Sequence, residues 1–214
     1  ASLQTALNNA ANGDTIKVTA NIDMARTALS VSGSKSITLD LQSYTVSWSG
    51  DRSNRLPTPV FTVGSGVTLT IRGSSSGTLS AYQDHTGQIN CNASVEFIRT
   101  SGTVILESGN IKAETYVSGN DTGGFDKGAD GYSDPLGVAV KSGGRFVQNG
   151  GAVNVKSYLH LSPRGTVNTS TDPVVYIRLK GIVIDSGGTG EMNAGTLDIS
   201  SDAGVKNNGR EDKR

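Results

Sequence analysis

Over most of the chain, apolar residues alternate with Ser, Thr, Asp, Asn and Lys in short runs separated by turns containing Gly, Ser or Asn. From Ile22 onward the apolar positions fall at Ile22/Met24, Leu29/Val31, Ile37/Leu39/Leu41 and Val46/Trp48. A spacing of two puts one face of each run into a core and the other into water, which predicts strands. The runs recur as triplets. The clearest copies are Ser94–Thr115, Gly137–Ser157 and Gly181–Ser201, with looser ones at Leu29–Trp48 and Val60–Ala81. In register, Val95/Phe97 fall on Val138/Val140 and Ile182/Ile184, and Ile111/Ala113 fall on Val153/Val155 and Leu197/Ile199. A unit of roughly 20–25 residues that cannot bury its own apolar face is the mark of a solenoid.

The one good helix pattern is Ser2–Asn12, where Leu3, Ala6, Leu7 and Ala10 share a face, Ser2 is the N-cap and Asn12-Gly13-Asp14 is the stop. Such a helix suits the open end of a first rung. An antiparallel sandwich would also alternate. The register of the copies favours equivalent residues stacked one above the next. The expected fold is therefore all-β: a right-handed parallel β-helix solenoid over 14–204, with a short N-terminal capping helix (1–13) and a charged tail or truncated next rung (205–214).

Composition narrows the function. Nineteen basic and nineteen acidic residues cancel, at a pI near 7.0, so no basic face for nucleic acid is expected. Glycine is abundant at 28 residues and aromatics are scarce at 5%, as many small turns between short strands require. No run is long and apolar enough to span a bilayer. The chain starts at Ala1 without an initiator Met or signal pattern, as an excised or processed piece would. Cys91 is alone, so no internal disulfide can form. The sequons at Asn92, Asn120 and Asn168 are no more than Asn, Ser and Thr abundance would give by chance.

The opening L-x-x-A-L-x-x-A-x-x-G-D-T-I-x-V, carried by Leu3 to Val18, is followed by Ser36–Leu41 (SITLDL) and Thr45-Val46. This stretch resembles the first coil of right-handed parallel β-helix proteins of the pectate-lyase-like superfamily, especially bacterial cell-surface ones. The resemblance implies architecture and an extracellular or cell-surface setting. It does not carry lyase activity with it, because the fold hosts many functions.

If the third strand of each unit ends at Trp48, Ala81 and Ala113, insertions are expected near 49–59, 82–94 and 114–137, all leaving the coil at one corner. Tyr158–Lys180 reads as a further excursion or a degenerate rung, the rung being slightly favoured. Insertions on one edge of a solenoid often form its binding surface. These intervals hold Tyr82, Tyr116, Tyr132, Tyr158 and Tyr176, both histidines (His85 and His160), and Asp84, Glu114 and Arg178. Tyrosine offers a flat apolar ring with a polar tip, suited to sugar faces and wet interfaces. The competing reading is that Tyr82, Tyr116 and Tyr158 merely cover the corner. Trp48 falls on core positions and is expected to pack. The candidate ligand-binding set is Tyr82, Asp84, His85, Tyr116, Tyr132, Tyr158, His160 and Arg178.

Asp126, Asp130, Gly131 and Asp134 read D-x-x-x-D-G-x-x-D, with the Tyr132 carbonyl available where a calcium loop uses a backbone oxygen. Gly128 and Gly137 stand where such a loop needs ligands, and no helices flank it, which excludes an EF-hand. A solvated turn-rich loop explains the same residues. No cofactor is expected; calcium is the one ion this loop could hold. For catalysis, the family hydrolases' Asn-Thr-Asp, Asp-Asp and Gly-His-Gly runs are absent, and Arg178-Leu-Lys180 alone is a weak echo of their Arg-Ile-Lys. An ice-binding Thr ladder is absent too, since Thr68-Leu-Thr70 occurs once.

The expected function is a non-catalytic extracellular module for adhesion or carbohydrate binding through loops on one edge. The alternatives are a polysaccharide lyase or glycoside hydrolase of the same fold, and a structural or receptor-binding appendage of a virion. A partner chain or further rungs are expected at the C-terminal end, where Gly204-Val205 resembles the start of another unit.

Overall fold

The computed structural model describes residues 2–86, 92–120, 131–162 and 175–205, with backbone alone at a few strand ends, Tyr132 and His160 among them. The described residues open with helix α1 (Leu3–Asn9) and then run through eighteen strands. The first coil is β1 (Thr15–Lys17), β2 (Ile22–Asp23) and β3 (Leu29–Val31). The second is β4 (Lys35–Asp40), β5 (Thr45–Gly50) and β6 (Phe61–Val63). The third is β7 (Val67–Arg72), β8 (Thr78–Thr86) and β9 (Asn92–Thr100). The fourth is β10 (Thr103–Leu106), β11 (Asn110–Asn120) and β12 (Gly131–Val140). The fifth is β13 (Arg145–Gln148), β14 (Ala152–Ser162), β15 (Val175–Ile177) and β16 (Lys180–Ile184). The last pair is β17 (Thr189–Met192) and β18 (Thr196–Val205).

Each strand pairs in parallel with its counterpart one coil on, giving three sheets: β1-β4-β7-β10-β13-β17, β2-β5-β8-β11-β14-β18, and β3-β6-β9-β12-β15 with β16 also on β12. The molecule is an all-β parallel solenoid. No helix among the described residues is long and apolar enough to cross a membrane.

The alternation in the sequence becomes continuous inward rows. Ile37, Leu69, Val104 and Phe146 stack in the first sheet, and Val46, Leu79, Ile111 and Val153 in the second. All eight are buried in one cluster. Trp48 is buried as expected, in a row continued by the small Ala81 and Ala113, with its ring edge-on to Phe97. The turns from the third sheet to the first repeat a Ser-Gly step, with Gly33, Gly66, Gly143 and Gly187 at φ of 76–89°. Only glycine adopts that conformation without strain, so these turns fix where each coil bends.

Helix α1 is shorter than its sequence pattern. Ser2 Oγ accepts from Thr5 N at 3.2 Å as the N-cap. Lys35 Nζ ends the helix by donating to the carbonyls of Leu7, Asn8 and Ala10 at 2.8, 3.2 and 3.1 Å. Leu3 and Leu7 enter the core, and the Gln4 amide pairs with both backbone groups of Ser30 at 2.8 and 2.9 Å, filling the outer edge of β3.

The pairing corrects one register. Ile111/Ala113 do stack on Val153/Val155 and these on Leu197/Ile199. Val138/Val140, however, stack on Ile98/Thr100, not on Val95/Phe97. Phe97 and Ile98 are adjacent and both buried, which breaks the alternation of β9. Gly137, between Leu136 and Val138, takes the place opposite Phe97, where a Cβ would lie 2.7 Å from the Gly181 carbonyl oxygen.

The expected insertions are corrected too. All four longer intervals do join the second sheet to the third, but they span only 51–60, 87–91, 121–130 and 163–174. Strands β8, β11 and β14 run on to Thr86, Asn120 and Ser162, and β9 and β12 start at Asn92 and Gly131. Tyr158–Lys180 is not an added rung: its first residues prolong β14, and its last form β15 and β16 against β12. The second and third sheets therefore continue past the first as a two-layered wing.

Candidate functional site

The wing has a polar interior. Beyond Ala81, Ala113 and Val155 the inward positions are Gln83/His85 on β8, Thr115/Val117 on β11 and Ser157/Leu159 on β14. Ser133 of the facing sheet links two of these strands, its hydroxyl 2.6 Å from both Thr115 Oγ1 and Ser157 Oγ. Past this chain a small apolar cluster of Ala93, Val117, Leu159 and Ile177 closes the layer. Gln83 ties down the 51–60 loop: its Nε2 donates to Asp51 O at 2.9 Å and its Oε1 accepts from Leu56 N at 2.8 Å. The loop comes this close because Gly50 has no side chain; a Cβ there would lie 2.6 Å from Gln83 Oε1 and 2.8 Å from Leu56 N.

Alternation then fixes what the outer face of the second sheet carries. Tyr82, Glu114, Lys156 and Ser200 form one row across β8, β11, β14 and β18, and Asp84, Tyr116, Tyr158 and Asp202 form the next. The rings of Tyr116 and Tyr158 lie 6.3 Å apart at 44°. Lys156 Nζ sits 4.5 Å from the centre of the Tyr158 ring, a cation–π contact. Tyr158 Oη donates to Glu114 Oε1 at 3.5 Å, and Lys112 Nζ lies 3.4 Å from the same oxygen. Asp84 accepts from Thr86 N and Oγ1 at 2.8 and 2.6 Å. Burial pushes the Tyr82 phenol up to about 12, helped by the neighbouring charges of Asp84, Tyr116, Glu114 and Tyr158. The phenol is thus a neutral donor at any physiological pH.

Of the residues expected to bind ligand, Tyr82, Asp84, Tyr116 and Tyr158 converge on this face, on strands and not on loops. Glu114, Lys156 and Lys112 complete it. Their signal was present in the sequence, because the period of two continues through Lys112-Ala-Glu-Thr-Tyr and Lys156-Ser-Tyr.

His85 is excluded from the face. It points into the wing, fully buried, and neither ring nitrogen has a hydrogen-bond partner among the described residues. Burial lowers its pKa below the usual 6.5, with Arg55 and then Arg52 adding to the shift and Asp84 and Asp51 opposing it. The unfolded chain takes up this proton near pH 6.5, whereas the folded chain resists it to a lower pH. Stability is therefore complete above pH 6.5 and falls as pH drops below it. Thermal unfolding of the wild type and His85→Leu at pH 7.5 and 5.0 should show a smaller acid loss in the variant; equal losses would refute this.

The remaining expected residues lie elsewhere. Tyr132 is on β12 in the third sheet, in register with Asn92 and Tyr176. His160 is on β14, two residues past Tyr158, its backbone in register with Ser118 and Gly204. Arg178 follows β15, its backbone N–H donating to Ser133 O at 2.7 Å, and is exposed. Of the expected calcium ligands, Asp126 and Asp130 lie outside the described residues. Asp134 is on β12 with Lys180 Nζ 3.1 Å from its carboxylate. Among the described residues no group of three or more His, Cys, Asp or Glu side chains is placed to hold a metal ion.

No protein-family model matches the chain, and no curated protein or solved structure matches it significantly.

Proposed function

We propose that the chain is a right-handed parallel β-helix module of the cell surface or extracellular space. Its proposed role is non-catalytic adhesion through carbohydrate bound on the outer face of the second sheet. The observation that carries this reading is the placement of Tyr82, Tyr116 and Tyr158 from three successive coils on one face. Stacked strands hold these half-buried rings in place, so little side-chain freedom is lost when a flat ligand settles on them. Carboxylates and a lysine between the rings supply hydrogen bonds of the kind sugar hydroxyls accept and donate.

A glycan panel followed by calorimetry on the best binder tests the reading. Tyr116→Ala and Tyr158→Ala should each weaken binding about tenfold, close to 1.4 kcal/mol. The double variant should lose binding while its melting temperature stays near that of the wild type. Unchanged affinity in the double variant would remove this face from the site.

A further inference from the structure

Resting on the carbohydrate reading, the register of the face specifies the form and direction of the ligand. Same-face side chains on one strand are two residues apart, whereas side chains on neighbouring strands are about 4.8 Å apart. The three tyrosines lie on three neighbouring strands, one on each of β8, β11 and β14, and never two on a strand. The line from Tyr116 to Tyr158, which are partners in register, crosses the strands and so follows the solenoid axis, with Tyr82 one strand further on and two residues out of their row. A single sugar ring covers one tyrosine. Only a ligand drawn out along the axis reaches all three, and an extended pyranose chain advances per ring by nearly the strand spacing.

The charges around the rings set a second condition. The outer positions of β8, β11, β14 and β18 carry four acids, Asp84, Glu114, Asp198 and Asp202, against the lysines Lys112 and Lys156. Both lysines are engaged within the face, Lys112 with Glu114 and Lys156 over the Tyr158 ring. Asp84 and Asp202 stand at the two ends of the row that holds Tyr116 and Tyr158. A ligand with a carboxylate on each ring would meet a face of net negative charge, on which both lysines of the described residues are already engaged.

We propose that the face binds an unbranched glycan laid along the solenoid axis, one ring per strand, and selects chains without carboxylates.

Calorimetry on the full chain tests this with three series of one to six rings: cello-oligosaccharides, chito-oligosaccharides with free amines, and oligogalacturonates. Affinity in a neutral or amino series should rise with each added ring, at least tenfold from one ring to three, and level off beyond four. Tyr82→Ala should shorten the chain length at which affinity levels off by one ring. Equal affinity for one ring and six would overturn the axial arrangement alone, and tighter binding of oligogalacturonates would overturn the charge selection alone. Failure of all three series to bind would overturn the carbohydrate reading and this inference with it.

Discussion

Trp48→Ala should lower the free energy of unfolding by about 3–5 kcal/mol, the cost of emptying a large aromatic site in a close-packed core. The indole is 1% exposed, its ring centre is 5.5 Å from that of Phe97 at 71°, and its Nε1 donates to Thr27 O at 2.8 Å. The neighbours in its row cannot close the gap, because Ala81 and Ala113 are small and fixed by sheet pairing. The substitution removes three contributions at once: apolar burial, the edge-to-face contact and the partner of a carbonyl. Trp48→Phe keeps the first and most of the second, so it should cost roughly 1–2 kcal/mol. Urea unfolding followed by circular dichroism measures both, since the only tryptophan is lost. A loss below 1 kcal/mol for Trp48→Ala would mean that the core is not packed around this side chain.

Leu79→Ala and Leu197→Ala make the same chemical change in the same row and should differ severalfold. The row runs Val46, Leu79, Ile111, Val153, Leu197 across the second sheet. Leu79 is fully buried, with a coil on either side, whereas Leu197 is 38% exposed on the last strand of the sheet. Truncating Leu79 leaves a cavity and should cost about 2–5 kcal/mol. Truncating Leu197 removes partly hydrated surface and should cost roughly 1 kcal/mol. Ile184, Met192 and Ile199, on the same terminal strands, are similarly exposed. Amide hydrogen exchange should agree, with protection falling from the third and fourth coils towards β17 and β18. Equal losses at Leu79 and Leu197 would show that the terminal coil is covered in solution.

The solenoid was legible in the sequence wherever the inward residues are apolar. The rows joining Ile111/Ala113 to Val153/Val155 and Val138/Val140 to Ile182/Ile184 could be read because Val, Ile, Leu and Ala alternate there with polar residues. The wing was not legible. Its first inward residues are Gln83, Thr115 and Ser157, so the apolar signal breaks after Ala81, Ala113 and Val155 although the strands continue. Buried polar residues are tolerated when they find partners. Ser133 is the partner of Thr115 and Ser157, and no spacing rule connects them in one chain. The misplaced register at Phe97 has a local cause of the same kind: two adjacent buried residues where the pattern allows one, made possible by a glycine on the facing strand. For the site, residue type was informative and position was not. Tyr82, Tyr116 and Tyr158 were expected together on loops, whereas they lie on strands, where alternation sets them on one face and turns His85 away.

The closure of the first coil has a consequence for polymerisation. A stack of parallel coils is a template, and linear growth of such stacks requires every unit to offer two competent ends. Here β1 and β2 are only three and two residues long, and the edge of β3 is occupied by the Gln4 amide beneath a helix held by Lys35. In the language of step-growth chemistry this face of the first coil is end-blocked: seven helical residues and one side-chain amide take the place where a further strand would add to β3.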